Sequence, residues 1–150
     1  MIKEFIAEFT DKEISGIRKI GRKYFLVSEE LEEASRLNDM TPDLIGIFLG
    51  EEKKGRFFSS LALLNILSET SNRKIFIDAN SEWLFLCGRD IMAGSITKAN
   101  VSNDFVLIQN EKDVNLGLGK IIEKLNNRPN TIVIKNVTDK GDYLRREMNH

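Results

Sequence analysis

The sequence has little cysteine, histidine or proline, and each shortage narrows what the protein can be. Cys87 is the single cysteine among 150 residues, so no disulfide can form within the chain, and His150 is the single histidine. This inventory cannot assemble a Cys/His zinc site or an ordinary Ser-His-Asp triad. With two prolines and no low-complexity segment, any domain boundary must be read from residue pattern. A folded protein in a reducing compartment is expected.

The chain has neither a large net charge nor a long apolar segment. The 22 Lys and Arg and 23 Asp and Glu give a formal net charge of -1, so no bulk basicity indicates nucleic acid. No window approaches the roughly 18 apolar residues of a membrane span, and residues 1–5 lack the uninterrupted apolar region of a signal peptide. We therefore expect a cytoplasmic globular protein without a membrane partner.

The first half of the chain has a mixed pattern of helices and strands. Residues 24–27 predict a strand, and Ser28 can cap a helix that runs to about Asn38. An apolar run at 44–49 predicts another strand, and the dense apolar spacing from Phe57 predicts a buried helix. These elements predict a small mixed α/β unit.

The second half consists mostly of short strands separated by glycine or Asn/Asp turns. Such a texture is expected when a sheet curls into a small barrel. Gly117 and Gly119 lack a side chain on the same face of one strand, which favours a bend or a close backbone approach. Trp83 and Phe85 could form a stacking platform for bases, but in a short apolar helix next to strands they are predicted core residues. The strands are predicted at 75–77, 105–108, 116–122 and 131–137, and the short helix at about 81–87.

Several segments that resemble ligand sites fit structural roles better. Residues 50–56 have the length of a phosphate-binding loop, but Arg-Phe follows where Lys-Ser/Thr is needed, so a hairpin turn is predicted. Residues 117–119 lack the third glycine of a dinucleotide loop. The acidic pairs at 29–30 and 32–33 fall on a predicted solvated helix face, and nothing places two carboxylates in one cleft. We expect no cofactor, no metal site and no enzymatic activity.

The order of glycine-marked segments in the second half resembles a PUA domain, a small RNA-binding pseudobarrel. The likeness is carried by residues 86–96, 104–108, 116–120 and 141–147. Over nearly the whole chain, the order resembles the Nip-seven family. This second resemblance is carried by residues 44–50, Lys74-Ile75-Phe76-Ile77, Trp83-Leu84-Phe85-Leu86-Cys87-Gly88, Leu116-Gly117-Leu118-Gly119-Lys120 and Gly141-Asp142-Tyr143. The resemblance implies an α+β protein, with a small N-terminal α/β domain at 1–72 and a C-terminal PUA-type β pseudobarrel at 73–150.

The resemblance also implies a function. Members of the Nip-seven family are non-enzymatic factors that assist large ribosomal subunit biogenesis and pre-rRNA processing, and this compact chain is similar to an archaeal-type member. The implied partners are RNA of the large subunit and other ribosome-assembly proteins, the latter through the N-terminal domain. The implied location is cytoplasmic, or nucleolar if the source is eukaryotic.

Four basic residues are the candidate RNA site. In PUA domains the first helix, its following loop and the last strand line an RNA-facing groove, and the resemblance places there Arg89, Lys98, Arg145 and Arg146. Clustered cations bind phosphate even in a chain of near-zero charge, and arginine can also stack on a base. The alternative is that all four are solvated surface charges, with Asp90, Asp142 and Glu147 as local partners.

Two other functions remain open from the residues. PUA domains accompany pseudouridine synthases and methyltransferases, so the chain could be a subunit of an RNA-modifying enzyme, although residues 1–73 look too short for a catalytic domain. It could also be a PUA adaptor in translation initiation that binds tRNA or the small subunit. The ribosomal particle that co-sediments with the protein would distinguish these readings.

Overall fold

The computed structural model describes residues 1–28, 33, 46–126 and 128–148. The chain divides into two compact units, Met1–Thr70 and Ser71–His150, which we call the first and second units. Most of the helix predicted from Ser28 to about Asn38, including every member of its acidic pairs except Glu33, lies outside the described residues. No helix in the described ranges is long and apolar enough to cross a membrane.

The first unit contains one four-stranded antiparallel sheet with two helices. Its strands are hydrogen-bonded in chain order. The apolar residues Ile2, Ile6 and Phe9 recur at helical spacing and are buried on one side of the first helix. The elements are α1 (Ile2–Phe9), β1 (Ile17–Ile20), β2 (Lys23–Leu26), β3 (Ile47–Lys53), β4 (Arg56–Ser59) and α2 (Leu61–Thr70).

The hairpin predicted at residues 50–56 is confirmed. Strands β3 and β4 are joined by Lys54 and Gly55, whose φ angles are 49° and 74°. Two successive left-handed residues make the tight turn whose twist matches that of antiparallel strands. The helix predicted from Phe57 instead begins at Leu61, because the preceding residues pair with β3 and the Ser60 hydroxyl caps the helix by accepting the Leu63 N–H.

The second unit is built around one curled six-stranded sheet. The order is β6-β10-β9-β8-β5-β7, and neighbouring strands are antiparallel except for the parallel pair β5 and β8. The strands predicted from the sequence are confirmed to within two residues at each end. The elements are β5 (Lys74–Ile77), α3 (Ala79–Leu86), β6 (Ile91–Met92), a 3-10 turn (Ala93–Ser95), β7 (Ile96–Ala99), β8 (Phe105–Gln109), β9 (Asn115–Ile121), β10 (Ile132–Asp139) and α4 (Gly141–Met148).

Helix α3 packs on this sheet through a narrow stripe. Ser81 and Phe85 are buried, and Phe85 is only 1% exposed in the main core of the unit, which confirms its prediction as a core residue. Trp83 is 69% exposed, so its prediction as a core residue is wrong. Residues two apart on a helix lie on nearly opposite faces. The helix is capped by Asp78, which accepts the Ser81 N–H at 2.8 Å, so it begins two residues before the predicted start.

The two alternate glycines of β9 allow the close approach that the sequence predicts. A Cβ atom built on Gly117 would lie 2.1 Å from the Thr138 carbonyl oxygen of β10, and one on Gly119 would lie 2.5 Å from a methyl of Ile134. Both distances are far below van der Waals contact. These glycines therefore bring β9 and β10 together and do not form a ligand loop.

Candidate nucleic-acid interface

The loop after helix α3 is fixed onto strand β10 by one asparagine. The Asn136 side-chain amide donates to the backbone carbonyls of Phe85 at 3.0 Å and Arg89 at 3.4 Å. The Asn136 backbone N–H donates to Asp90 at 2.8 Å. These bonds join two segments about 50 residues apart in sequence, so the end of α3 and the strand form one junction.

Helix α3 ends in a geometry that gives Arg89 a defined position. The Gly88 N–H donates to Phe85 at 2.9 Å and the Arg89 N–H donates to Leu84 at 3.0 Å. This pair of bonds is a Schellman motif, which requires a left-handed residue at the position of Gly88. Its φ of 92° meets that requirement. Arg89 therefore follows a rigid turn, and its side chain is exposed.

Arg145 connects three segments at the same junction. One of its terminal nitrogens donates to the Leu86 carbonyl at the end of α3. The other contacts both carboxylate oxygens of Asp139 at 3.0 and 3.3 Å and lies 3.8 Å from Asp142. Asp139 is only 3% exposed, and its hydrogen bond is the largest cause that raises the pKa of Arg145. The guanidinium is thus engaged by the protein itself.

A glycine is needed where α4 meets the end of α3. A Cβ atom on Gly141 would lie 1.8 Å from the Leu86 carbonyl oxygen and 2.9 Å from the Arg145 guanidinium. A side chain at this position would separate the two helices and break the bond between Arg145 and Leu86. The first residue of the Gly-Asp-Tyr segment, which carries the family resemblance, is therefore required for the packing of the two helices.

The four predicted RNA-binding residues do not all lie at the junction. Arg89 and Arg145 lie at the junction of α3, β10 and α4. Arg146 follows on α4, where it is 77% exposed and its Nε lies 3.0 Å from Asp142. Arg145 and Arg146 lie on helix α4, which follows the last strand, β10. They therefore do not belong to the strand that lines the expected groove.

Lys98 lies elsewhere on the sheet. It belongs to β7, at the opposite end of the strand order from β6 and its neighbour β10. Its ammonium group lies 5.6 Å from the centre of the Phe76 ring on the adjacent strand, and none of the described junction contacts includes it. The contacts at the junction thus involve the segments that carry three of the four predicted residues, and Lys98 takes part in none of them.

Trp83 is a stacking candidate that the sequence analysis set aside in favour of a core position. It lies one helical turn before Leu86, whose carbonyl Arg145 binds, and it is exposed together with Leu84. An exposed tryptophan offers a flat apolar face on which a nucleic-acid base can stack. Residue spacing could not have identified it, because the buried stripe of Ser81 and Phe85 is known only from the structure, and it leaves Trp83 on another face of the helix.

Charge is divided unequally between the two units. Residues 1–70 contain 10 Lys and Arg and 13 Asp and Glu, a formal charge of -3. Residues 71–150 contain 12 Lys and Arg and 10 Asp and Glu, a formal charge of +2. The near-zero total charge of the chain therefore hides a basic second unit, and phosphate groups are attracted to this unit in preference to the first.

Comparisons with known proteins agree with this architecture. A protein of Archaeoglobus fulgidus described as a UPF0113 protein is 32% identical over 117 residues, which cover 74% of this chain and 67% of that protein. A conserved PUA domain protein from Thermoplasma acidophilum has a similar structure, with a TM-score of 0.66, 15% identity and coverage of 97% of this chain and 91% of that chain.

A hypothetical protein from Pyrococcus horikoshii OT3 is also similar in structure, with a TM-score of 0.55 and 17% identity over 87% of this chain and 77% of that chain. The model of the UPF0113 PUA domain matches residues 73–148, which span the curled sheet, α3 and α4. The predicted PUA-type fold is thereby confirmed, and PUA is an RNA-binding fold. This chain belongs to the UPF0113 PUA domain family.

Proposed function

We propose that this protein is a non-enzymatic RNA-binding factor that assists large ribosomal subunit biogenesis and pre-rRNA processing, as members of the Nip-seven family do. The observation that carries the RNA-binding part is the junction of α3, β10 and α4. It presents exposed Arg89, Arg146 and Trp83 on a backbone that hydrogen bonds hold in place. The order of sequence segments that resembles the Nip-seven family supports the ribosomal part.

The junction offers two kinds of contact to a single-stranded RNA. Arg89 and Arg146 can bind phosphate oxygens or stack on a base, since a guanidinium is planar and always charged. Trp83 can stack on a base without reading its identity. Arg145, which is bound to Leu86 and Asp139, keeps these groups in position. The proposed interface therefore combines phosphate contacts and stacking around a rigid centre.

The first unit has a different role in this proposal. Its formal charge of -3 makes close contact with a polyanion unfavourable. We propose that it contacts other ribosome-assembly proteins while the second unit contacts RNA.

Crosslinking in cells, followed by sequencing of the attached RNA, tests the proposed function. We expect reads concentrated on large-subunit rRNA or its precursor, and co-sedimentation of the protein with large-subunit particles. Reads concentrated on tRNA or small-subunit rRNA would contradict the ribosome-biogenesis role and favour an adaptor in translation initiation. Reads at sites of RNA modification would favour a subunit of a modifying enzyme.

Trp83 allows a direct measurement of RNA at the junction, because it is the single tryptophan of the chain. Saturable quenching of its fluorescence is expected when a single-stranded RNA is added. Replacing Trp83 by alanine should weaken RNA binding by about 5- to 150-fold, since one stacked base contributes about 1–3 kcal/mol. Stability should change little, because the side chain is mostly exposed. Anisotropy of a labelled 20-nucleotide RNA measures the affinity of each variant.

Trp83→Phe and Leu84→Ala are the matched controls for this measurement. Phenylalanine keeps an aromatic face, so its affinity should remain near that of the original protein. Leu84 is a neighbouring exposed apolar residue that offers no ring for stacking. Unchanged fluorescence at saturating RNA, or equal losses in Trp83→Ala and Leu84→Ala, would refute a stacking role for Trp83.

A further inference from the structure

Two lysines face each other on neighbouring strands of the second unit. Lys135 of β10 is the register partner of Lys120 of β9, and both side chains are exposed. Residues directly opposite on antiparallel strands have Cβ atoms roughly 5 Å apart. The two positive charges are therefore held side by side on one face of the sheet.

Such a pair disfavours folding unless something offsets the repulsion. Like charges directly opposite each other destabilise a sheet. In the part of the chain that the structure describes, neither Lys120 nor Lys135 forms an ion pair with a carboxylate. The Lys120 ammonium group lies 5.4 Å from the centre of the Phe105 ring, and Phe105 is its register partner on β8. An aromatic ring attracts one cation but brings no negative charge to the pair.

The loop between the same two strands adds further positive charge. Residues 120–135 contain four basic side chains and one acidic side chain. The loop is held to the 3-10 turn, because Gly94 N–H donates to Pro129 and Ala93 N–H donates to Thr131, each at 2.9 Å. We call the whole set the hairpin basic face. It consists of Lys120 and Lys135 on the strands and the exposed Lys124 and Arg128 in the loop.

The hairpin basic face is distinct from the junction. Successive residues of a strand point to opposite faces of the sheet. Asn136 points toward α3, where it binds Phe85 and Arg89, so Lys135 points to the other face. An anion on the lysine pair therefore does not contact the groups that surround Arg145.

We propose that the hairpin basic face is a second RNA-binding surface, which takes the phosphate backbone of the same RNA that the junction binds. A phosphate between Lys120 and Lys135 supplies a counter-charge to both lysines, and a base next to it can pack against Phe105. Lys124 and Arg128 extend the phosphate contacts along the loop. This inference rests on the proposed RNA-binding function and adds a surface that the predicted site residues do not include.

The double variant Lys120→Gln/Lys135→Gln tests the second surface in the full chain with a labelled, mixed-sequence single-stranded 20-nucleotide RNA. Loss of two phosphate contacts should make the slope of log K against log salt concentration shallower by about 1.4 and weaken binding about tenfold near 0.15 M salt. Trp83 fluorescence should still be quenched at saturating RNA, because the junction is intact.

Lys54→Gln/Lys112→Gln is the matched control, since it removes the same charge from two exposed lysines outside both surfaces. Its affinity and salt slope should match those of the original protein. If the original protein binds RNA and the Lys120/Lys135 variant binds equally well, the second surface is refuted and the proposed function stands. Equal losses in the two double variants would also refute it. If the original protein does not bind RNA, the RNA-binding function itself fails.

The variant Lys135→Glu distinguishes an effect on RNA binding from an effect on the stability of the fold. A glutamate opposite Lys120 replaces repulsion by attraction, so the melting temperature should rise by about 1–2 °C. RNA binding should fall further than in a single Lys135→Gln variant, because the new carboxylate repels phosphate. A variant that is more stable and binds RNA as tightly as the original protein would overturn the proposal.

Discussion

Replacing Gly117 by alanine is expected to lower the free energy of unfolding of the second unit by about 2–5 kcal/mol. Gly117 has a φ of 152°, and a Cβ atom there would lie 2.1 Å from the Thr138 carbonyl oxygen and 2.9 Å from the Asp139 Cα atom. Both obstacles are backbone atoms of β10, so relief requires the two strands to separate. Urea unfolding followed by circular dichroism, with hydrogen exchange in β9 and β10, measures the loss.

Gly21→Ala is the matched control for the conformational part of this effect. Gly21 also has a positive φ, 61°, but nothing lies within 4 Å of a Cβ atom built there. Alanine at Gly21 should therefore cost only about 1–2 kcal/mol, measured by hydrogen exchange in β1 and β2. A loss below about 1 kcal/mol in Gly117→Ala would contradict the close approach of β9 and β10.

The two adjacent arginines of α4 are expected to differ sharply when each is replaced by alanine. Arg145→Ala should cost about 1–3 kcal/mol, because buried Asp139 loses its cation and the Leu86 carbonyl loses a donor. Removing one partner of a fully buried ion pair costs about 3–5 kcal/mol. The cost is smaller here, because Arg145 is 40% exposed and water screens the pair. Arg146→Ala should change stability by less than about 0.5 kcal/mol. Thermal unfolding of both variants provides the comparison.

The alanine variants of Arg145 and Arg146 should also differ in their RNA binding. Arg146→Ala should reduce the salt slope by about 0.7, as expected for one lost phosphate contact, with the junction intact. Arg145→Lys keeps the positive charge but lacks the planar fork that reaches Leu86 and Asp139 together, so it should recover only part of the stability. Equal melting temperatures for Arg145→Ala and Arg146→Ala would show that Arg145 does not hold the junction.

Local patterns predicted much of the second unit. Short apolar runs between glycine or Asn/Asp turns located β5, β8, β9 and β10, and the alternate glycines of β9 indicated a close strand approach. Phe85 was identified as a core residue from the apolar character of its helix. Each of these inferences depends on residues close in sequence, for which propensity and spacing are informative.

The parts that sequence reasoning missed depend on distant contacts. Nothing near Arg145 in the sequence indicates that it binds the Leu86 carbonyl, 59 residues earlier, so it could not be distinguished from Arg146. The pairing of Lys120 with Lys135 requires the register of β9 and β10, which a strand pattern does not specify. Trp83 was misassigned because its apolar neighbours suggested burial, although only one stripe of a short helix faces the sheet.

The bond between Arg145 and the end of α3 also has an electrostatic consequence. The carboxyl end of a helix carries a partial negative charge from its unpaired carbonyl groups, and that charge would repel phosphate beside Arg89. Arg145 donates to the Leu86 carbonyl, which is one of these groups, and shares its positive charge with Asp139. The guanidinium therefore offsets part of the negative end of α3, so that a phosphate beside Arg89 would meet a weaker opposing field from that helix.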